Sequence, residues 1–261
     1  MTYFKKNAVK LKYYIARMLC NNITGKMLEI LFKNNIPTFR FGYFNFDFSN
    51  KNILPKTKAA IFWGLYETGE LRLINKYLRN DFDVIELGAS LGVISCHIIR
   101  KINTSKRLIS VEANPYLIGT IRNNLNNYAK QKIFHVLNVA VGNRNLDKIN
   151  FYVNEDNVYS QISDQKTKST VEVKVKSLSE IIFLFSINEY TLVSDIEGAE
   201  LSFLIDDSIA LKNCKQILIE LHDTEYGGNK YLISDIRNYI EDKLGFVFRA
   251  NYGAVFVFEK N

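Results

Sequence analysis

Residues 83–92 have the sequence Asp-Val-Ile-Glu-Leu-Gly-Ala-Ser-Leu-Gly. The apolar residues before Gly88 predict a short buried strand, and the apolar run after Gly92 predicts a helix. Two glycines between a strand and a helix indicate a tight turn, because glycine adopts backbone conformations that other residues avoid. Free N–H groups at the start of such a helix favour a nucleotide-type ligand, although any parallel strand–helix turn also favours glycine.

Strands and helices alternate from residue 82 onward, which predicts a doubly wound, mostly parallel α/β sheet. The predicted parallel strands are 82–87, 107–112, 132–141, 190–195 and 216–220, and the predicted helices are 92–101, 115–129, 177–187 and a segment near 229–243. Pro115 suits the first turn of its helix. Two further strands around the turn at 251–253 predict an antiparallel terminal hairpin, so we expect seven strands in total.

Three segments lie outside this alternation. Residues 1–35 predict a basic amphipathic helix, residues 39–48 an aromatic hairpin, and residues 57–79 a helix. Residues 149–176 alternate like antiparallel strands around a polar loop, and we expect them to form an inserted hairpin. We therefore predict an N-terminal segment over residues 1–56, on the substrate side or as a cap, and a main domain over residues 57–261.

The composition is that of a globular protein, with 261 residues, of which 47% are hydrophobic and 23% are charged. A net charge of +7 suits an acidic partner such as nucleic acid, a phosphorylated sugar or a membrane surface, but solvated lysines are the simpler interpretation. The three cysteines are far apart, which predicts a reducing, cytoplasmic location. The sequence contains neither an apolar run of about 20 residues nor an apolar signal segment. It predicts no oligomeric state.

Polar residues follow the predicted parallel strands at the points where the strands end. They are Glu86, Glu112, Asn138, Asp195, Glu197, Glu220 and His222. Ligands of open parallel sheets bind at the carboxyl ends of the strands. Because buried carboxylates are costly unless they are paired, this acidic edge predicts a functional site.

The glycine turn predicts which cofactor binds. Ser90 occupies the position of the second glycine in the dinucleotide fingerprint, which disfavours a pyrophosphate and therefore a nicotinamide cofactor. A ligand with an adenosine but no phosphates fits better, because Glu112 is placed to accept hydrogen bonds from a ribose. An acidic edge also tolerates a positive sulfonium, so S-adenosylmethionine is the predicted cofactor.

Several motifs resemble those of the FkbM-type class I methyltransferases. Residues 86–92 (ELGASLG) resemble motif I, residues 111–115 (VEANP) the acidic end of the second strand, and residues 194–200 (SDIEGAE) the family signature KIDVEGAE. Residues 219–222 (IELH) resemble the fifth-strand motif, and residues 63–67 (WGLYE) the motif that precedes motif I. The resemblance spans roughly residues 60–259. Two departures are Ser194, where the family usually has lysine, and Ser90, where asparagine is more common.

The resemblance implies a Rossmann-like sheet and S-adenosylmethionine-dependent O-methylation of a sugar, glycan or other small hydroxylated metabolite. The cofactor-binding residues expected from motif and strand position are Glu86, Gly88, Ala89, Ser90, Gly92, Glu112, Ala113, Asn114, Asn138, Ala140 and Asp195.

The catalytic residues are expected at strands four and five. His222 is the candidate general base, because a neutral imidazole titrates near pH 7. Asp195 and Glu220 are expected beside it, and Glu197 and Glu200 either orient the substrate or cap the following helix. A divalent metal held by Asp195, Glu220 and His222 is a less favoured alternative, and no metal site is predicted.

Two other functions stay open. The first is an RNA methyltransferase, which the positive charge suits but which lacks a tract of basic residues with interleaved aromatics. The second is a non-methylating nucleotide-binding protein, either an NAD-type oxidoreductase or a scaffold. Peripheral contact with a membrane through the basic N-terminal helix is a further expectation.

Overall fold

The structure is a computed structural model that describes residues 18–142, 147–153, 161–162 and 170–260. Its contacts divide the chain into two compact units, residues 1–68 and 69–261. The boundary predicted after residue 56 stays a prediction. The predicted helix over residues 1–17 and most of the polar loop inside 154–170 lie outside the described residues. Among the described helices, none is both long and apolar enough to cross a bilayer.

The described residues of the first unit, 18–68, form two helices and a two-stranded hairpin. They are α1 (Asn22–Phe32), β1 (Asn35–Thr38), β2 (Phe44–Asp47) and α2 (Pro55–Phe62). The Asn21 side chain caps α1 by accepting a hydrogen bond from the Thr24 amide. Helix α1 ends at Phe32, short of the predicted residue 35, because Lys33 and Asn34 adopt positive φ angles.

The aromatic hairpin differs from its prediction in position. Its strands pair antiparallel with Ile36 opposite Phe46, so the first strand precedes the aromatic stretch. Phe44, Phe46 and Phe48 are buried in the core of this unit. Phe39 and Tyr43 lie in the connecting turn and are exposed. The alternating aromatic residues at 39–48 therefore belong partly to this turn and partly to β2.

The second unit is built on a seven-stranded sheet. Its strands are β3 (Asp83–Leu87), β4 (Arg107–Glu112), β5 (Ile133–Asn138), β10 (Tyr190–Ser194), β11 (Cys214–Glu220), β14 (Val247–Tyr252) and β15 (Val255–Glu259). Their order is β14-β15-β11-β10-β3-β4-β5. Strand β15 pairs antiparallel with both neighbours, and the other described pairings are parallel. The predicted Rossmann-like sheet with an antiparallel terminal hairpin is confirmed.

Helices and a smaller sheet surround this sheet. The helices are α3 (Thr68–Tyr77), α4 (Val93–Lys101), α5 (Ile118–Ala129), α6 (Leu178–Leu184), α7 (Leu201–Leu204) and α8 (Ile233–Asp242). The smaller sheet contains β6 (Ala140–Val141), β7 (Lys148–Tyr152), β8 (Gln161–Ile162) and β9 (Thr170–Lys176). Strands β7 and β9 pair antiparallel, as their alternating pattern predicts. A short hairpin, β12 (Thr224–Tyr226) and β13 (Asn229–Tyr231), precedes α8.

Other predicted elements of the chain are divided or begin later in the structure. The helix predicted over 57–79 is interrupted between Phe62 and Thr68, where Gly64 and Glu67 adopt positive φ angles. The strand predicted over 132–141 divides into β5 and β6, because β6 pairs with β9. The helix predicted from 115 begins at Ile118, because Pro115 lies in a turn. The segment near 229 begins as β13 and becomes helical at Ile233.

The central strands are buried on both faces, as expected of a parallel sheet covered by helices. All residues of β10 are buried, and Ile85, Ile109 and Ile217 are fully inaccessible. Tyr190 begins β10 in the core, and its hydroxyl donates a hydrogen bond to the Ala210 carbonyl. A sheet buried in this way exposes polar side chains mainly at the ends of its strands.

Gly88 joins the ends of β3 and β10. Its φ is 84°, and a Cβ atom there would lie 1.8 Å from the Asp195 carbonyl oxygen. The glycine is therefore required because the backbone after β10 passes directly over the turn. Gly92, with φ 76°, lies against the Cα of Ile121 and lets α4 approach α5.

We expect Gly88→Ala to destabilise the protein by at least about 2 kcal/mol, because the added methyl group meets backbone and the left-handed φ is strained. Gly119→Ala is the matched control, since a Cβ at this helical position meets nothing within 4 Å. The control should be neutral or stabilising by up to about 1 kcal/mol. Urea unfolding measures both, and equal stability of the two variants would contradict this account.

Candidate functional site

The glycine turn is held to the end of the neighbouring strand β4. The amides of Gly88 and Ala89 both donate to the Val111 carbonyl at 3.0 Å. The amide of Ser90 donates to Glu112 Oε2 at 2.7 Å. Ser90 has a φ of 49°, a left-handed conformation that residues other than glycine rarely adopt. These contacts place the turn and Glu112 side by side.

Glu112 is buried and is the anion that the turn surrounds. Its Oε1 accepts a hydrogen bond from the Asn114 amide at 2.7 Å. Burial raises the pKa of Glu112, and hydrogen bonds from backbone amides counteract this effect. A carboxylate has about four lone-pair sites and three backbone amides bond this one, so Glu112 can accept a further hydrogen bond.

Two other predicted cofactor residues make structural contacts in this region. The Asn138 side chain donates to the carbonyls of Glu112 and Ala113, at 2.9 and 3.0 Å, and so determines the path of the loop after β4. Ala140 is buried in β6, opposite Val175 of β9. Their role in cofactor binding stays a prediction.

Glu86 lies within the sheet, with 1% of its surface exposed. Its Oε2 accepts hydrogen bonds from the hydroxyls of Ser95 and Ser110, both at 2.6 Å. Its Oε1 is buried and has no hydrogen-bond partner among the described residues. Burial raises the pKa of Glu86 to about 7. Glu86 thus connects β3 with α4 and β4. The sequence alone did not identify Ser95 and Ser110 as its hydrogen-bond partners.

The ends of β10 and β11 bring together four carboxylates and one imidazole. His222 Nε2 lies 3.7 Å from Glu197 Oε2 and 3.9 Å from Glu220 Oε1. His222 Nδ1 lies 4.0 Å from Glu200 Oε1, and this nitrogen is buried without a hydrogen-bond partner in the described part of the chain. The cluster predicted at strands four and five is therefore assembled around His222.

Asp195 belongs to both the cluster and the glycine turn. Its amide donates to the Leu87 carbonyl at 3.0 Å, and its carbonyl lies against Gly88. Its Oδ1 is buried and finds no hydrogen-bond donor in the described ranges. Burial raises the pKa of Asp195 to about 7, with further contributions from the charges of Glu220, Glu197 and Glu200. A cation or a hydrogen-bond donor at this position would satisfy the carboxylate.

Glu200 faces His222 from the protein interior. It is 1% exposed, and its Oε1 accepts a hydrogen bond from the Ile196 amide at 3.2 Å. Burial raises the pKa of this carboxyl group. Although Glu200 precedes α7, its side chain makes no capping hydrogen bond to that helix. The alternative in which the Glu200 side chain only caps the following helix is therefore wrong.

One set of side chains could reach a single cation. Asp195, Glu200 and His222 each offer one ligand atom, and these atoms lie within 4.8 Å of one another. The metal site considered as an alternative from the sequence has Glu220 as its third ligand. In the structure Glu200, not Glu220, completes the set with Asp195 and His222. Oxygen and imidazole ligands suit several divalent metals, so this arrangement does not by itself specify an ion.

A comparison with models of protein families identifies the family of this chain. The model described as the methyltransferase FkbM domain matches residues 86–248, which is more than half of the chain. The chain belongs to the FkbM methyltransferase family. The match includes the glycine turn, Glu112 and the cluster around His222, and the resemblance inferred from the motifs is confirmed.

Solved structures similar to this FkbM methyltransferase are distant. A putative tRNA (m1A22) methyltransferase of Streptococcus pneumoniae is 12% identical, with 73% of this chain and 69% of that chain covered and a TM-score of 0.42. A putative O-methyltransferase of Klebsiella pneumoniae is 10% identical, with 75% and 80% covered and a TM-score of 0.42. A SAM-dependent methyltransferase of Aquifex aeolicus is 11% identical, with 72% and 87% covered and a TM-score of 0.39. Comparison with curated proteins gives no match.

The raised pKa of Glu86 predicts how the stability of this FkbM methyltransferase changes with pH. Below the ordinary pKa of 4.5 the carboxyl group is protonated in both the folded and the unfolded chain. As the pH rises toward the folded pKa of about 7, the unfolded chain ionises first, so stability falls across this range and then levels off.

We therefore expect Glu86→Gln to reduce the loss of stability between pH 5 and pH 8 by up to about 3 kcal/mol. Denaturant unfolding at several pH values measures this difference. Glu225→Gln, at an exposed position, is the control and should retain the wild-type pH dependence. A Glu86→Gln curve parallel to the wild-type curve would show that Glu86 titrates in the same way in both states.

Proposed function

We propose that this FkbM methyltransferase transfers a methyl group from S-adenosylmethionine to a hydroxyl group of a sugar, a glycan or another small metabolite. The observation that supports this most strongly is the contact between the glycine turn and Asp195, which joins the predicted donor pocket to the cluster around His222. In such an arrangement a donor and an acceptor hydroxyl would meet at the ends of β3, β10 and β11.

The residues of the pocket fit the proposed donor chemically. When bound, S-adenosylmethionine supplies an electrophilic methyl group on a positively charged sulfonium. The turn at Gly88, Ala89, Ser90 and Gly92, together with Glu112, Ala113 and Asn114, would hold the adenosine portion. The unsatisfied Oδ1 of Asp195 suits a positive group or an amine nearby. The turn suits a pyrophosphate less well, because Ser90 stands where the dinucleotide fingerprint has its second glycine.

His222 is the proposed general base. Its outward nitrogen, Nε2, faces the partly exposed carboxylates of Glu197 and Glu220, and its inward nitrogen, Nδ1, faces buried Glu200. A proton on Nδ1 would leave Nε2 free to accept the proton of the acceptor hydroxyl. The surrounding carboxylates would then stabilise the imidazolium that forms, because opposite charges within about 4–6 Å favour the charged form.

The carboxylates also favour a hydroxylated acceptor. Glu197 and Glu220 are about one-third exposed and can accept hydrogen bonds from hydroxyl groups near the reacting one. A sugar presents several such donors. An RNA acceptor would bring phosphate charges toward the same carboxylates, and this repulsion makes RNA the weaker alternative.

Calorimetry tests the donor. We expect the protein to bind S-adenosylmethionine and to show no binding of NAD, because the turn lacks the close backbone approach that a pyrophosphate requires. A mass-spectrometric screen with the donor and a panel of nucleotide sugars, glycan fragments and small RNAs then identifies the acceptor. Binding of NAD without binding of S-adenosylmethionine would overturn the proposed donor, and methylation of RNA alone would overturn the proposed acceptor.

His222→Ala tests the base. Loss of general base catalysis should lower kcat by about 10²–10⁴-fold, with the affinity for S-adenosylmethionine unchanged. His135→Ala is the matched control, because His135 is exposed on β5 and contacts Phe185. Turnover should also survive treatment with a chelator, since the proposed mechanism requires no metal. Wild-type turnover by His222→Ala would remove His222 from the mechanism.

A further inference from the structure

The exposed face of α1 is unusually apolar for the surface of a globular protein. Ile23, Met27, Ile30 and Leu31 are spaced so that they share one face of the helix, and each is between 65% and 81% exposed. Isolated apolar residues are common on protein surfaces, whereas a contiguous stripe of them indicates an interaction site.

The packing of α1 determines that this face points outward. On the opposite side Gly25 is buried against α2, where a Cβ atom would lie 1.9 Å from the Pro55 carbonyl oxygen. Leu28 is also buried on that side. The close contact at Gly25 therefore prevents the helix from rotating to bury its apolar stripe.

The apolar surface continues from α1 onto the hairpin of the same unit. Leu31 and Tyr43 both line a shallow groove of about 330 Å³. Tyr43 contacts Phe39, with the ring centroids 5.4 Å apart, and both aromatic side chains are exposed. We call this surface, composed of Ile23, Met27, Ile30, Leu31, Phe39 and Tyr43, the α1 surface. Aromatic residues beside an aliphatic stripe are typical of surfaces that meet the boundary between lipid and water.

The positive charge of the protein is concentrated in the same unit. Residues 1–68 contain 11 lysines and arginines against three acidic residues, whereas residues 69–261 contain 23 against 24. Lys26 is exposed on α1, and Lys33, which is also exposed, follows two turns later. Five of the 11 basic residues and none of the three acidic residues lie within residues 1–17 of the sequence.

We propose that the α1 surface binds peripherally to an anionic lipid membrane. The apolar stripe and the aromatic pair would enter the interfacial region while the lysines meet acidic head groups, which is how amphipathic surfaces bind lipid. Charge argues against the other occupants. A second copy placed on this surface would bring two strongly positive units together. A nucleic acid would use the lysines but would leave the aliphatic stripe without a partner.

Vesicle flotation with the full-length protein tests the proposal. The wild-type protein should float with phosphatidylglycerol vesicles and bind phosphatidylcholine vesicles at least about tenfold more weakly, because lysines contribute only where lipids are anionic. Met27→Ser combined with Ile30→Ser should reduce binding to phosphatidylglycerol vesicles by at least about tenfold. The matched control is Phe183→Ser combined with Ile209→Ser, two exposed apolar residues of the second unit, and it should bind like the wild type.

Charge variants provide an independent measurement that does not alter the apolar stripe. Lys26→Glu combined with Lys33→Glu should weaken binding to phosphatidylglycerol vesicles, whereas Lys212→Glu combined with Lys230→Glu should weaken it less. Circular dichroism and donor affinity verify that each variant is folded. Failure of the wild type to float, equal flotation of the stripe variant, or a dimer that the stripe variant abolishes would overturn the proposal.

Discussion

The close approach of the backbone at Gly88 to the carbonyl of Asp195 is the constraint on which the site depends. It brings the turn after β3 against the loop after β10, and neighbouring strands of a parallel sheet permit this only if one residue lacks a side chain. The same contact places Asp195, whose Oδ1 is buried, against the turn that motif I forms. The proposed donor pocket and the proposed catalytic cluster therefore meet at one backbone contact.

The second unit concentrates carboxylates where they are costly. Glu86, Glu112, Asp195 and Glu200 are all largely buried, and burial is the main cause of the raised pKa of each. Two serine hydroxyls bond one oxygen of Glu86, and backbone amides bond both oxygens of Glu112. Glu86 Oε1 and Asp195 Oδ1 are buried and have no hydrogen-bond partner among the described residues. An uncompensated carboxylate is more readily explained by ligand binding than by folding.

The sequence predicts strands best where apolar runs are long. It predicts least well which strands pair with each other. The five parallel strands and the terminal hairpin are present, but β6 leaves its predicted strand to pair with β9. The helix predicted over 57–79 is interrupted because Gly64 and Glu67 adopt positive φ angles, which periodicity does not reveal. Ser95 lies in a predicted apolar helix and Ser110 in a predicted buried strand, and a hydroxyl within such an element is the signal that indicates a partner for Glu86.

The sequence by itself determined the family of this protein through the order of its motifs, and its sheet through the local hydrophobic pattern. It also determined the acidic character of the site, because the carboxyl ends of parallel strands meet at one edge of the sheet. Only the tertiary structure decided that Glu200 faces the inward nitrogen of His222, that Glu86 accepts hydrogen bonds from Ser95 and Ser110, and that the apolar stripe of α1 is exposed. These features depend on side-chain direction and on close contacts between residues far apart in the chain. Hydrophobic periodicity reports which residues are buried, but not which neighbours they meet.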